Sequence, residues 1–255
     1  MLKKLLFNGA PVIVTGAGSG IGQACCVVLA ELGASVILVG RTMDKLKETE
    51  SLIKGTGVEF ESHAVDVSDE AQIQGMHAAV ATKYDHVKSV INNAGTNIVK
   101  RITELETEDW NRIISIDLTS VYYMCKIFIP MLQHAPGGGS IVNVASTFGI
   151  IGHPEMPAYC AAKGGMLSLT RQLAVDYGEQ GLRVNSLCPG ATLSPRVRGY
   201  IDAGLVDGEA TRKLALLGRL AECDEIANTA VFLASDAASY VHGTALVVDG
   251  GQTVH

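Results

Sequence analysis

Pro11-Val12-Ile13-Val14-Thr15-Gly16-Ala17-Gly18-Ser19-Gly20-Ile21-Gly22 is the stretch that decides the fold. Its first five residues are a short β-branched run, the pattern of a buried strand. Glycines follow at once, and a helical segment is expected from Gln23 to Leu32, stopping at Gly33. Ser35-Val36-Ile37-Leu38-Val39 then reads as a second strand. Strand, glycine turn, helix and strand in that order make a βαβ unit with its crossover.

The same alternation continues outward from this unit. Helical patterns over Asp44–Lys54, Glu70–Lys83, Glu108 to about Gln133, Ala158–Tyr177 and Asp224–Ala234 alternate with further strands. Those strands are expected at Val58–Ala64, Ser89–Ile91, Ser140–Val144, Arg183–Leu187 and Ala245–Val248. Seven strands with helices between them predict an α/β fold of the Rossmann-like, doubly wound type, with a parallel sheet covered on both faces. No break in composition marks a second domain, so residues 1–255 read as one domain. Only Thr192 to Leu217 departs from the alternation, with Pro195, several glycines and mixed charges. It reads as a partly helical insertion that covers the substrate. Its Arg196, Arg198 and Arg212 suit either an anionic group or a solvated helix face.

Composition narrows the function classes. Of 255 residues, 47% are apolar, enough for a sizeable core, and 28 glycines against 7 prolines suit many tight turns. A net charge of −6 argues against a nucleic-acid surface. The six cysteines form no C-x-x-C pair and have no histidines clustered beside them, so no metal site is expected and a reduced, cytoplasmic setting fits. The opening Met1-Leu2-Lys3-Lys4-Leu5-Leu6-Phe7 has too short an apolar run for a signal peptide. No apolar stretch is expected to reach the length of a membrane span.

The glycine turn sits where a dinucleotide needs it, after a strand and opening a helix. Glycines let backbone approach a diphosphate, and the helix N-terminus offers free N–H groups and partial positive charge. The cofactor type is read at the end of the second strand. An acid there would bind ribose hydroxyls and repel a 2′-phosphate, whereas this chain has Gly40-Arg41. Arg41 can pair with a phosphate in bidentate fashion, which favours NADP over NAD.

Tyr159 and Lys163 are four residues apart, hence on one face of a helix. A nearby ammonium favours the ionised form of a phenol, whose ordinary pKa is ~10. Taken alone, the pair also fits an ordinary amphipathic helix.

Six motifs in order carry a resemblance across nearly the whole chain. Thr15-Gly16-Ala17-Gly18-Ser19-Gly20-Ile21-Gly22 resembles the T-G-x-x-x-G-x-G turn of the short-chain dehydrogenase/reductase family. Asn92-Asn93-Ala94-Gly95 resembles its N-N-A-G motif, and Ser146, thirteen residues before Tyr159, matches the spacing of its serine. Tyr159 and Lys163 match its Y-x-x-x-K, Pro189-Gly190 its P-G, and Asp249-Gly250-Gly251 its closing D-G-G.

The resemblance implies an oxidoreductase that moves a hydride between NADP(H) and an alcohol or carbonyl substrate. Tyr159 would move the proton at the substrate oxygen, Lys163 would favour the ionised phenol and bind the nicotinamide ribose, and Ser146 would stabilise charge on that oxygen. Gly16, Ser19, Gly20, Ile21 and Gly22 would form the phosphate turn, with Ser19 and Arg41 facing the 2′-phosphate. Asp66 and Val67 would hold the adenine edge, although Asp66 also suits a helix start with Asp69 as a rival cap. Asn93, Ala94 and Gly95 would line the adenosine side and support the turn. Pro189, Gly190 and Thr192 would position the carboxamide.

One residue departs from the family pattern. Asp117 stands seven residues after Trp110, where the family usually has an asparagine that holds a water in a proton relay through the lysine. A carboxylate accepts hydrogen bonds but donates none unless protonated, so an altered pH profile is expected. His153 lies between Ser146 and Tyr159 and reads as a loop histidine or a substrate contact, beside an apolar wall of Phe148, Ile150 and Ile151. A homo-oligomer, dimer or tetramer, is implied by the family's long helices. The alternatives are a 3-oxoacyl-thioester reductase and a catalytically silent NADP-sensing protein.

Overall fold

The structure is a computed structural model and describes residues 2–254; Met1 of the opening segment and the last histidine, His255, lie outside the described residues. Seven parallel strands form one sheet in the order β3-β2-β1-β4-β5-β6-β7. They are β1 Pro11–Thr15, β2 Ser35–Gly40, β3 Phe60–Ala64, β4 Ser89–Asn92, β5 Ser140–Val144, β6 Arg183–Pro189 and β7 Ala245–Val248. The helices between them are α1 Gly20–Glu31, α2 Met43–Ile53, α3 Glu70–Lys83, α4 Thr107–Ile114, α5 Ser120–Gln133, α6 Pro157–Tyr177, α7 Pro195–Asp202, α8 Gly208–Lys213 and α9 Cys223–Ala234.

The period of two along the strands sends alternate side chains to opposite faces. Ile13, Ile37, Val39 and Val90 pack on one face with Phe128 and Met166 from α5 and α6. Val12, Val14, Val36 and Leu38 pack on the other with Leu29 from α1 and Ile226 and Val231 from α9. Burial on both faces is why these strands read as unbroken apolar runs. Each such side chain stabilises the fold by roughly 1.5–3 kcal/mol. β1 pairs with both β2 and β4, so the chain order reverses beside β1. A ligand crevice opens at the carboxyl ends of the strands at such a point.

Four sequence expectations are corrected. The strand expected from Val58 begins at Phe60, and the sixth strand runs on through Pro189. The helix expected without interruption from Glu108 to Gln133 contains a π-helical turn at Ser115–Thr119. That widened turn puts Asp117 inside the protein, and Ser120 Oγ donates to the Ile116 carbonyl at 2.6 Å. Finally, the continuous helical run Thr107–Gln133 is long and apolar enough to cross a membrane, contrary to the expectation that no stretch is. Its Val121, Met124, Phe128 and Leu132 are instead buried in the core against the sheet.

Candidate active site

The glycine turn is built by close backbone contacts. Gly16 and Gly20 adopt φ of +68° and +58°, a region that favours glycine. A Cβ on Gly22 would stand 2.3 Å from the Gly16 carbonyl oxygen and 2.5 Å from Asn93 Nδ2, so no larger residue fits. Asn93 Nδ2 donates to the Thr15 carbonyl at 2.9 Å, and Thr15 Oγ1 accepts from the N–H groups of Asn93 and Ala94. The β4 end therefore props the turn from behind. Ser19 stands at the N-cap of α1, and its side chain makes no capping bond. The first N–H groups of α1 are thus left without a side-chain cap, which suits an anion. The cradle fits a dinucleotide diphosphate. Sequence reading missed Thr49, whose hydroxyl donates to the Ala17 carbonyl at 2.9 Å and ties α2 to the turn.

On the side where the sequence leads one to expect adenosine, Arg41 follows β2 directly and is exposed. Asp66 and Val67 follow β3, as expected. The Asp66 carboxylate accepts from Ser68 N and Oγ at 3.0 and 2.7 Å. Asp69 caps α3, accepting from the N–H groups of Ala71 and Gln72, which settles the rivalry between the two acids.

Two elements carry the expected serine, tyrosine and lysine. Ser146 lies just past β5, while Tyr159 and Lys163 are on α6. Lys163 is 3% exposed, donates to the Val144 carbonyl at 2.9 Å, and its Nζ lies 5.5 Å from the centre of the Tyr159 ring. Ser146 Oγ accepts from Phe148 N at 3.1 Å, leaving its own proton to donate to a substrate oxygen. A Cβ on Gly149 would meet the Lys163 carbonyl carbon at 2.8 Å, so the loop after Ser146 lies directly on α6. His153 stacks on Phe148 with ring centres 4.1 Å apart, and Ile150 and Ile151 are exposed beside them. Glu155 in the same loop has φ of +61°, a strained value for a side chain of its size.

Asp117 is fully buried. Its Oδ2 accepts from Thr96 N at 2.8 Å, and its Oδ1 is 3.3 Å from Lys163 Nζ without the alignment of a hydrogen bond. Burial raises the Asp117 carboxyl above its ordinary range, against the opposing pull of Lys163, the Thr96 N–H and Arg196. The expected neighbour relation between Asp117 and Lys163 is thus present.

Pro189 closes β6. A Cβ on Gly190 would stand 2.8 Å from Asp249 Cα, so the P-G and D-G-G motifs pack together. Partial burial pushes the Asp249 carboxyl up, but its bonds from Thr253 and Gly251 outweigh that and hold it below its ordinary value. The Thr192 hydroxyl donates to the Gly190 carbonyl at 3.0 Å and can still accept. The expected insertion carries α7 and α8, and two of its arginines already have partners: Arg212 bonds Glu209, and Arg196 reaches the Gly95 carbonyl. All six cysteines are free thiols, and burial pushes those of Cys25 and Cys125 up to about 12. Such thiols are protonated core residues.

The comparisons with known proteins agree with this fold. A family model for short-chain dehydrogenases, described as enoyl-(acyl carrier protein) reductase, matches residues 16–253. The chain belongs to the short-chain dehydrogenase/reductase family. It is 36% identical over 248 residues to the meso-2,3-butanediol dehydrogenase of Serratia marcescens, covering 97% of this chain and 96% of that one. It superposes with TM-score 0.92 and 32% identity on a candidate NAD(P)-dependent gluconate 5-dehydrogenase from Beutenbergia cavernae with bound NADP at low occupancy, covering 99% of this chain and 100% of that one. A candidate 2-deoxy-d-gluconate 3-dehydrogenase from Agrobacterium tumefaciens with bound NADP gives TM-score 0.88 and 31% identity, covering 99% of both chains. As a short-chain dehydrogenase/reductase, the protein is a nicotinamide-dependent oxidoreductase acting on alcohol or carbonyl groups.

Proposed function

We propose that this short-chain dehydrogenase/reductase transfers a hydride between NADP(H) and an alcohol or carbonyl substrate through Ser146, Tyr159 and Lys163. The observation that carries the reading is the buried Lys163 ammonium, pinned to the Val144 carbonyl at 2.9 Å and 5.5 Å from the Tyr159 ring centre. When bound, the nicotinamide supplies or accepts the hydride. Tyr159 gives a proton to the substrate oxygen in reduction and takes it back in oxidation. Ser146 donates a hydrogen bond to the same oxygen and stabilises charge that develops there. Lys163 favours the phenolate left behind, and Asp117 holds the lysine and joins it in a proton relay.

Gly16, Ser19, Gly20, Ile21 and Gly22 hold the diphosphate through the turn and the α1 N-terminus. Ser19 and Arg41 receive the 2′-phosphate, Asp66 and Val67 the adenine, and Asn93, Ala94 and Gly95 the adenosine side. Pro189, Gly190 and Thr192 meet the carboxamide, and Tyr159 and Lys163 the nicotinamide ribose. Arg41 in place of an acid supports NADP over NAD, and two solved relatives carry NADP. The chain works as one unit over residues 1–255, with 192–217 covering the substrate. It is a cytoplasmic homo-oligomer, a dimer or tetramer joined by the α4–α5 and α6 helices.

NADPH oxidation with a panel of ketones, aldehydes and 3-oxoacyl thioesters tests the reading. Tyr159→Phe is expected to lower turnover by about 10²–10⁴-fold while NADPH still binds. Full turnover in that variant, or none in the wild type with any of these substrates, would remove the assignment.

A further inference from the structure

Arg196 stands in the crevice with unused binding capacity. Its guanidinium carries five N–H donors, and one, on Nη2, bonds a neutral acceptor, the Gly95 carbonyl, at 2.7 Å. The side chain is exposed, and no carboxylate among the described residues forms an ion pair with it. Two other arginines of this region differ: Arg212 pairs with Glu209, and Arg219 grips Glu225 with two bonds of 2.7 Å.

Its location is fixed at both ends. Beside it in the chain, Ser194 Cβ and Pro195 Cδ lie 3.4 and 3.6 Å from where a Cβ of Gly20 would stand, so the segment touches the glycine turn. At the other end, a Cβ of Gly95 would stand 3.6 Å from Lys163 Nζ. Arg196 therefore spans the gap between the phosphate cradle and the catalytic lysine. The Ser194 hydroxyl caps α7 by accepting from Val197 N at 3.3 Å, and Tyr200 Oη donates to Asn97 Oδ1 at 3.2 Å. These bonds hold α7 across the crevice without the arginine.

We propose that Arg196 is the residue of this insertion that binds the cofactor diphosphate: its guanidinium exchanges the Gly95 carbonyl for the dianionic diphosphate of a nicotinamide dinucleotide. A charged acceptor forms shorter and stronger bonds than a neutral carbonyl, and guanidinium geometry suits two phosphate oxygens at once. The exchange ties α7 to the cofactor and not only to the β4 loop. The proposal rests on the dinucleotide reading and is indifferent to NAD or NADP. A substrate anion is the rival source of negative charge, but contact of Ser194 and Pro195 with the glycine turn puts the start of α7, and so the backbone that carries Arg196, on the cofactor side.

Calorimetric titration with ADP-ribose, which has the diphosphate and no nicotinamide, tests this without turnover. Arg196→Gln is expected to weaken ADP-ribose binding roughly tenfold, the scale of one lost charge-assisted contact. Arg196→Lys should lose less, and Tyr200→Phe, which cuts the other tie of α7, should stay within about twofold. The salt dependence of binding should also be shallower in Arg196→Gln. Unchanged ADP-ribose affinity in Arg196→Gln overturns the proposal, including the case where only KM for an anionic substrate rises. So does an equal loss in Tyr200→Phe, which would make α7 docking the cause. Wild-type protein that binds neither ADP-ribose nor NADPH overturns the dinucleotide reading itself.

Discussion

Asp117 Oδ1 lies 3.3 Å from Lys163 Nζ, and the two residues are 0% and 3% exposed. A buried carboxylate whose pKa is raised binds its proton more tightly in the folded chain than in the unfolded one. It therefore opposes folding once ionised, and stability falls as pH rises from the unfolded carboxyl value, ~3.9, to the raised folded value. Asp117→Asn removes that term. The difference in Tm between the variant and the wild type should move in favour of the variant as pH rises through this window. The pH–rate curve should shift with it, because an amide beside Lys163 does not titrate as the Asp117 carboxyl does. Matching pH–rate curves for the two proteins would take Asp117 out of the chemistry.

Arg41 should set the choice of cofactor. It is exposed just past the end of β2, where the chain has an arginine and not an acid. A hydrogen bond to a charged group is worth about 1.5–3 kcal/mol, or roughly 10–150-fold in binding. Arg41→Ala is expected to raise KM for NADPH by that order and to leave KM for NADH nearly unchanged. The ratio of kcat/KM for the two cofactors reads this directly. An equal loss with both would assign Arg41 to the fold and not to the 2′-phosphate.

Much of this architecture is legible in the sequence because its causes are local. β1, β5 and β7 begin and end where the β-branched runs do, and Gly16 and Pro189-Gly190 mark the crevice edges. What is not legible depends on partners far away in the chain. The π-helical turn at Ser115–Thr119 brings Asp117 to the Thr96 N–H and to Lys163, and an α-helical pattern carries no trace of either. Thr49 looks like any polar helix residue until the Ala17 carbonyl is seen above it. Arg196 reaches Gly95 across 101 residues, so its spacing in the insertion says nothing of its target. The left-handed Glu155 is likewise held from outside, by Lys100 N donating to its carbonyl at 2.7 Å.

Gly22 should tolerate no side chain. A Cβ there would stand 2.3 Å from the Gly16 oxygen, which is backbone and cannot swing aside. Gly22→Ala should cost on the order of 1–3 kcal/mol in urea unfolding and weaken NADPH binding, since the strain falls on the phosphate turn. Gly55→Ala is the control, because nothing lies within 4 Å of its added methyl group. Equal behaviour of the two variants would show that the turn relaxes freely.

Thr170 should position α6, the helix that carries Tyr159 and Lys163. Its hydroxyl accepts from Asn143 Nδ2 at 2.8 Å and shares a 2.7 Å bond with Ser186 Oγ; Asn143 Oδ1 in turn accepts from Asn92 Nδ2 at 2.9 Å. All four residues are buried, so this chain of amides and hydroxyls fastens α6 to β4, β5 and β6 in a single register. Lys163 stands two turns before Thr170 on the same helix face, against the Val144 carbonyl that follows Asn143. Thr170→Val keeps the side-chain shape and leaves the Asn143 amide without its acceptor, at a cost of about 1–3 kcal/mol. Thr170→Ser restores the hydroxyl and should recover most of the loss. If register is what the network protects, Thr170→Val lowers kcat more than it raises KM, and the pH–rate curve moves as Lys163 drifts from Val144. A stability loss with kcat and pH profile both intact would mean that Thr170 holds the core and not the catalytic geometry.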